Sequence, residues 1–402
     1  MTQKARPPLT AMRFVVGFGV VSALADIVYE GARSVYGPFL ASLGATALIV
    51  SVITGGGDAL ALVARLLFGR LADARSRRWA LTITGYTLTV IAVPLLGLTT
   101  ALWIACALIL VERLGKAVRS PSKDAMLAQA GTVTGRGWAF AVHEAMDQAG
   151  AFVGPLLIAA SLALTAVYGP GFLLLAIPGI AAIGVLLYLR RRVPDPACYE
   201  PVDELVPATV ASREPLPRAF WIYAAFTALT MAGFATFGLL SFHLVEMGSV
   251  SVAVVPVVYA VAMGVDAIAA LISGRWYDRI GIRGLVVLPV LAAAIPWLGF
   301  SSSTPLVIAG MLVWGIVIGI QESTMRAAVA DLVPDARRGS AYGIFTAVYG
   351  LAWLAGSIII GATYERSVVL TAVVVTVVQA AALVVFLVAR PHHHHDRHVR
   401  AG

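Results

Sequence analysis

Apolar residues run along this chain in blocks close to the length a helix needs to cross a bilayer, roughly 20 residues at about 1.5 Å each. Short polar segments separate them. About twelve such blocks can be drawn, at 12–40, 46–69, 79–98, 101–119, 137–163, 168–190, 218–245, 251–274, 283–301, 304–326, 339–363 and 367–389. No block shows the period-2 alternation of a membrane strand, so each predicts a helix that pairs its own backbone groups. The polar stretch "RRVPDPACYEPVDELVPATVASREPLP" is rich in proline and acids, as a surface linker would be. It predicts an all-α membrane protein with an N-terminal six-helix bundle (1–190), a linker (191–217), a C-terminal six-helix bundle (218–390) and a His-rich tail (391–402).

Composition agrees with lipid as the solvent, at 59% hydrophobic and 12% charged residues. A formal net charge of +8 raises nucleic acid as a partner, but the positions of the basic residues say otherwise. They fall in alternate loops, "RLADARSRR", "KAVRSPSK", "RRR", "RWYDRIGIR" and the pair Arg337–Arg338, while the other loops hold almost none apart from Arg366. By the positive-inside rule this places the chain in the cytoplasmic membrane as a multi-pass protein with both termini in the cytoplasm. No nucleic-acid partner is expected. The basic start "MTQKARPPLTAMR" lacks a small-residue cleavage site, so the first span is expected to be retained. Cys106 and Cys198 are too far apart to suggest a disulfide framework or a cysteine metal cluster. Neither a nucleotide loop nor a nucleophile arrangement is visible, so no enzymatic activity is expected.

The two halves echo each other. "GRLADARSRR" at 69–78 follows span two and "GRWYDRIGIR" at 274–283 follows span eight; "GRGWAF" at 135–140 has its counterpart in "RRGSAYG" at 337–343. These residues resemble the loop motif of the major facilitator superfamily, with Gly69, Asp73, Arg77 and Arg78 in one copy and Gly274, Asp278 and Arg279 in the other. Ala74 departs from the usual basic residue. "GAFVGPL" at 150–156 is similar to the Gly-Pro motif that many exporters of this superfamily carry in span five, although glycines also serve close helix packing. "ERLGKAVRSPSKDA" and "HEAMDQAGAFVGP" further resemble a bacterial subgroup of efflux permeases, and some nickel-resistance permeases share a similar pattern. The resemblance implies two pseudo-symmetric bundles working by alternating access. It also implies a cytoplasmic gate in which Asp73 meets the start of span eleven near Gly339 and Ser340, and Asp278 meets span five near Gly137, each carboxylate at a helix N-terminus.

Ionisable groups at membrane depth are costly and usually face a bundle interior. Here spans three, six, nine and twelve hold no charge in their interiors, whereas spans one, two, four and five hold Asp26, Glu30, Arg33, Asp58, Arg65, Glu112, Arg113, Lys116, His143, Glu144 and Asp147. In the superfamily it resembles, the first set are outer supports and the second line or flank the cavity. Asp26, Glu30 and Arg33 share one helix face; Glu112, Lys116, Arg119 and Lys123 form another stripe, which Pro121 is expected to bend or end. Asp26, Asp58, Glu112, Arg113 and Asp147 are expected to converge at one level near mid-bilayer.

A proton-coupled carrier needs a carboxylate that takes up a proton near neutral pH and a basic partner whose pairing alternates with protonation. Asp147, beside His143 and Glu144 and facing Arg113, is the first candidate and Asp26 the second; Glu30, Asp58 and Glu112 complete the set, with Arg33, Arg113 and Lys116 as charge partners. A static ion-pair network fixing helix register is the competing account. In the second half, Phe226, Met231, Phe234, Trp314 and Tyr349 suggest an apolar cavity wall, and Glu322 with Arg326, four residues on, a cytoplasmic gate pair. A charged half facing an aromatic half suits an amphipathic or cationic solute. The reading is thus a monomeric proton-driven exporter of such a compound, without cofactors, whose partners are the solute, protons and the bilayer. The alternative is a nickel or cobalt exporter using His143 and Asp147 with the tail "PHHHHDRH". A nutrient symporter ranks below both. Sugar sites rely on side-chain amides, and this chain contains no asparagine. An organic anion stays open through Arg33 and Arg113.

Overall fold

The computed structural model describes residues 9–72, 75–199, 215–248, 250–334 and 337–389. Asp73, most of the expected linker and the His-rich tail lie outside the described residues. Fifteen α-helices are present among the described residues: α1 (Ala11–Arg33), α2 (Tyr36–Ser42), α3 (Ala47–Ala72), α4 (Arg78–Leu96), α5 (Leu102–Thr134), α6 (Arg136–Thr165), α7 (Tyr168–Leu174), α8 (Ala176–Arg192), α9 (Arg218–Ala232), α10 (Phe237–Glu246), α11 (Val254–Ile280), α12 (Val287–Gly299), α13 (Thr304–Leu332), α14 (Arg338–Tyr364) and α15 (Val368–Ala389). Ten helical runs are long and apolar enough to cross a membrane. One of them, 254–299, covers two spans joined by a 3₁₀ turn at Gly281–Val286. Span four, α5, is excluded from that set by its charges, which completes twelve.

Spans one, six and seven are each built of two helices. Such a break leaves backbone groups without helical partners, which lipid cannot satisfy, so side chains must. At the α9–α10 break, Trp314 Nε1 donates to Ala235 O at 3.1 Å, and Gln379 Nε2 donates to Thr230 O at 2.9 Å. Thr236 Oγ1 accepts from Leu239 N at 3.3 Å and starts α10. At the α1–α2 break, Ser34 Oγ donates to Gly31 O at 2.6 Å. Span four does not end at Pro121, one of the two outcomes expected there: α5 continues through it to Thr134. A proline inside a buried helix removes one donor, and packed neighbours hold the rest of the helix in place.

The helices form two pseudo-symmetric six-helix bundles. Packing pairs recur in both: α1 with α6 and α9 with α14, α4 with α5 and α12 with α13, α3 with α5 and α11 with α13. Glycine sets several of these distances. A Cβ added at Gly85 would lie 2.5 Å from Gly115 O; in the equivalent helix pair of the second bundle, at a different depth, a Cβ at Gly310 would lie 2.5 Å from Gly299 N. In α6, Gly150 and Gly154 bring the helix against the α1 backbone at Ala23 and Ile27. The "GAFVGPL" glycines therefore serve close packing between spans one and five.

The Arg-rich loops share one end of the bundle, the basic end. The polar links between bundles lie toward the opposite, neutral end: Glu365 Oε1 accepts from Leu48 N at 3.0 Å, and Thr54 Oγ1 donates to Thr236 Oγ1 at 2.9 Å. Gly37 of α2 is packed directly on Gly238 and Ser241 of α10. The α3–α14 seam extends as far as Leu66 beside Gly343. At the basic end, Gly69, Gly137, Gly274 and Gly339 each have open space where a side chain would begin. Asp278 and Arg279 are exposed. Among the described residues, nothing packs against Gly137 where the approach of Asp278 was expected. Gly37→Val should force α2 from α10 and shift the bundles toward separation at the neutral end. Spin-label distances across that end should lengthen; an unchanged distribution would show that the Gly37 contact does not hold it shut.

Candidate functional site

The membrane-depth charges of the first bundle fall into two groups at different depths, not the single level expected. The group nearer the neutral end joins α1, α3 and α5. Arg33 Nη2 contacts Asp58 Oδ2 at 3.1 Å and its Nη1 contacts Glu30 Oε1 at 3.7 Å; Arg113 Nη1 contacts Asp58 Oδ1 at 3.3 Å and its Nε contacts Glu112 Oε2 at 3.4 Å. Asp58 thus bridges two arginines. Tyr29 organises the surroundings: its hydroxyl accepts from Lys116 Nζ at 2.7 Å and Arg33 Nη1 at 3.1 Å, and the Arg113 guanidinium lies 4.9 Å from its ring centre. Glu112 is fully buried and neither carboxylate oxygen receives a hydrogen bond. Across the bundle boundary, the Tyr259 hydroxyl of α11 donates to Glu30. Charges so enclosed exchange partners only at high cost.

The second group lies nearer the basic end and joins α1, α4, α5 and α6. His143 Nδ1 is 3.4 Å from Asp147 Oδ2, and Lys123 Nζ is 3.9 Å from the same oxygen. On its other side, His143 Nε2 is 2.8 Å from Ser22 Oγ, which is 3.1 Å from the Tyr86 hydroxyl. His143 thus links Asp147 on its Nδ1 side to the Ser22 and Tyr86 hydroxyls on its Nε2 side, and either ring nitrogen can carry the proton in this chain. Asp26 packs toward Gly150, one turn from Asp147, and has no ion pair within 4.0 Å among the described residues. Glu144 is exposed, and ligand atoms of His143, Glu144 and Asp147 lie within 4.8 Å of one another.

The cation beside Asp147 is therefore Lys123, not Arg113 as expected. Lys123 lies eleven residues before the end of α5 at Thr134, and Asp147 eleven residues after the start of α6 at Arg136. The two antiparallel helices thus bring them to the same depth, roughly 16 Å from that end. Arg113, ten residues earlier on α5, sits about 15 Å away along the axis. Ending span four at Pro121 concealed this register.

The expected apolar wall is mostly packed core. Phe226, Met231, Phe234 and Trp314 are all buried. Phe226 stacks toward Phe386 of α15 with ring centres 4.9 Å apart, while Phe234 lies 6.2 Å from Trp314. These residues face neighbouring helices, because span seven must seal against spans ten and twelve. Only Tyr349 is partly exposed; its hydroxyl donates to Gln321 Oε1 at 3.3 Å. Of the basic-end residues, Arg78 Nε donates to Ala72 O at 3.0 Å, closing the end of α3, and Arg77 is exposed. Glu322 is exposed; the Arg326 side chain lies outside the described ones. Ser22, Tyr29, Tyr86 and Tyr259 were missed by the sequence reading. Spacing alone could have marked Tyr29, four residues before Arg33 and on its face, whereas Tyr86 and Tyr259 pair with residues on distant helices.

Two bundles of six spans with ionisable groups held between helices define a membrane transporter. The sequence matches the Major Facilitator Superfamily over residues 18–283 and 245–401, and the chain belongs to that family. It is 55% identical over 365 residues to an uncharacterised protein of Mycobacterium tuberculosis, covering 90% of this chain and 89% of that one. A shorter similarity, 31% over 103 residues and 25% of each chain, is to the class E tetracycline resistance protein of Escherichia coli. Among solved structures, the fold matches a point mutant of the nucleoside transporter NupG with a TM-score of 0.75 and 14% identity, over 93% of this chain and 100% of that one.

Proposed function

We propose that this transporter is a proton-coupled exporter of a small amphipathic or cationic compound, seated in the cytoplasmic membrane with its basic end in the cytoplasm. The observation that carries the reading is the loose setting of Asp147. Its nearest charged or chargeable neighbours, His143 at 3.4 Å and Lys123 at 3.9 Å, both stand beyond good hydrogen-bond length. A carboxylate so placed can gain a proton from the histidine side and release the lysine, then reverse both steps as the bundles rock. Asp26, one turn from it across the α1–α6 seam, gives the proton a second seat. The similarity to a tetracycline resistance protein supports the outward direction.

A second reading has its own observation. His143, Glu144 and Asp147 place three potential ligand atoms within 4.8 Å of one another, a set that suits nickel or cobalt as cargo. One assay separates the two. Proteoliposomes under an imposed pH gradient are tested with tetraphenylphosphonium, nickel and cobalt. Gradient-dependent movement of the organic cation and not of the metals is expected. Metal movement that is lost both on deletion from His392 onward and in His143→Ala would replace the first reading with the second.

A further inference from the structure

The second bundle is poor in membrane-depth charge, and its one deeply buried carboxylate among the described residues has no role so far. Asp266 lies in the middle of α11 and is 4% exposed. Its Oδ1 rests over Gly319 of α13, 2.8 Å from where a Cβ would be. No hydrogen bond or ion pair reaches this side chain among the described residues. A desolvated carboxylate left alone is costly unless a positive charge or a proton neutralises it.

Asp266 lies seven residues after Tyr259 on α11, hence on the same helix face, the one that meets Glu30 of α1. The charges that act on it are mostly of its own sign, Glu322 of α13, Glu30 of α1 and Glu144 of α6, with Arg33 of α1 the opposing cation. Arg33 is already engaged by Asp58 at 3.1 Å and Glu30 at 3.7 Å. Glu144 and Glu322 are exposed. Toward the neutral end the space is closed by the Tyr259–Glu30 link and by Tyr259, Phe237 and Trp314, with the Phe237 and Tyr259 rings 4.6 Å apart. Asp266 thus stands at the meeting of the two bundles, below an aromatic cap, with carboxylates around it and no free resident cation among the described residues.

We infer that Asp266 pairs with the positively charged group of the transported compound, so that the substrate is an organic cation held between the bundles. This rests on the reading of the protein as an exporter of amphipathic or cationic solutes. Glu144 would draw the cation in from the basic end, and Asp266 would hold it where the bundles meet. Binding there neutralises a charge that otherwise opposes closure of the bundles around it.

The full-length protein in lipid nanodiscs, with tetraphenylphosphonium as the probe, tests this. Asp266→Asn should weaken binding by at least about tenfold, while Asp266→Glu stays within about threefold of the wild type. In the unaltered protein, the probe should also protect Asp266 from modification by a hydrophobic carbodiimide, read by mass spectrometry, with Glu365 as the unprotected control. Wild-type affinity in Asp266→Asn, or undiminished labelling in the presence of bound probe, overturns the inference. So does unchanged affinity with loss of the proton release that accompanies binding, which would assign Asp266 to the proton. A wild type that neither binds nor transports the probe overturns the cationic-solute reading and this inference with it.

Discussion

Asp147→Asn is expected to bind and passively exchange the transported compound but to lose accumulation driven by a pH gradient. One pH unit is worth about 1.4 kcal/mol, so a carrier that exchanges one proton per solute can sustain roughly a tenfold gradient per unit. The amide has nearly the shape of the acid and still faces His143 and Lys123. It cannot take up and release the proton, and Lys123 loses the partner that alternates with it. Counterflow in proteoliposomes should therefore persist while the roughly tenfold gradient collapses toward none. Full accumulation in this variant would assign Asp147 to structure. The same result in Asp26→Asn would end the proposal that coupling runs through this group of carboxylates.

Arg113→Ala should have the largest effect on stability. The guanidinium is 1% exposed and holds Asp58 at 3.3 Å and Glu112 at 3.4 Å. Its removal leaves a fully buried carboxylate on Glu112, and removing one member of a buried pair typically costs about 3–5 kcal/mol. A thermal midpoint lower by on the order of 10 °C is expected, read by loss of monodisperse protein on heating in detergent. Arg113→Ala combined with Glu112→Gln should recover much of the loss, because the stranded charge is gone. A single variant as stable as the wild type would show that the network fixes nothing in the fold.

Much of this protein was legible without coordinates. Lipid cannot hydrogen-bond the backbone, so apolar runs of spanning length must be helices, and the runs from 12–40 to 367–389 correspond to the spans observed. The cost of charge in lipid made the distribution legible too. Spans three, six, nine and twelve carry none in their interiors, and of the five groups expected to converge, Asp58, Glu112 and Arg113 do so, whereas Asp26 and Asp147 lie in the other group. The repeated glycine-containing loops pointed to the pseudo-symmetry of the two bundles.

Other features needed the packed structure. Helical spacing marks which side chains share a face, but not the depth at which two helices meet, which depends on where each helix ends. Once α5 passes Pro121 and runs to Thr134, Lys123 rises to the level of Asp147 and Arg113 moves out of reach. The same limit hid the Tyr86–Ser22–His143 chain and the Tyr259–Glu30 link, whose members belong to helices distant in sequence. It also turned the expected aromatic wall into core, since hydrophobicity says that a residue is buried but not against what. Apolar length and charge cost are local properties and can be read from a single chain. Depth register, inter-helix partners and the isolation of Asp266 come from how separate helices are set side by side, which tertiary packing alone decides.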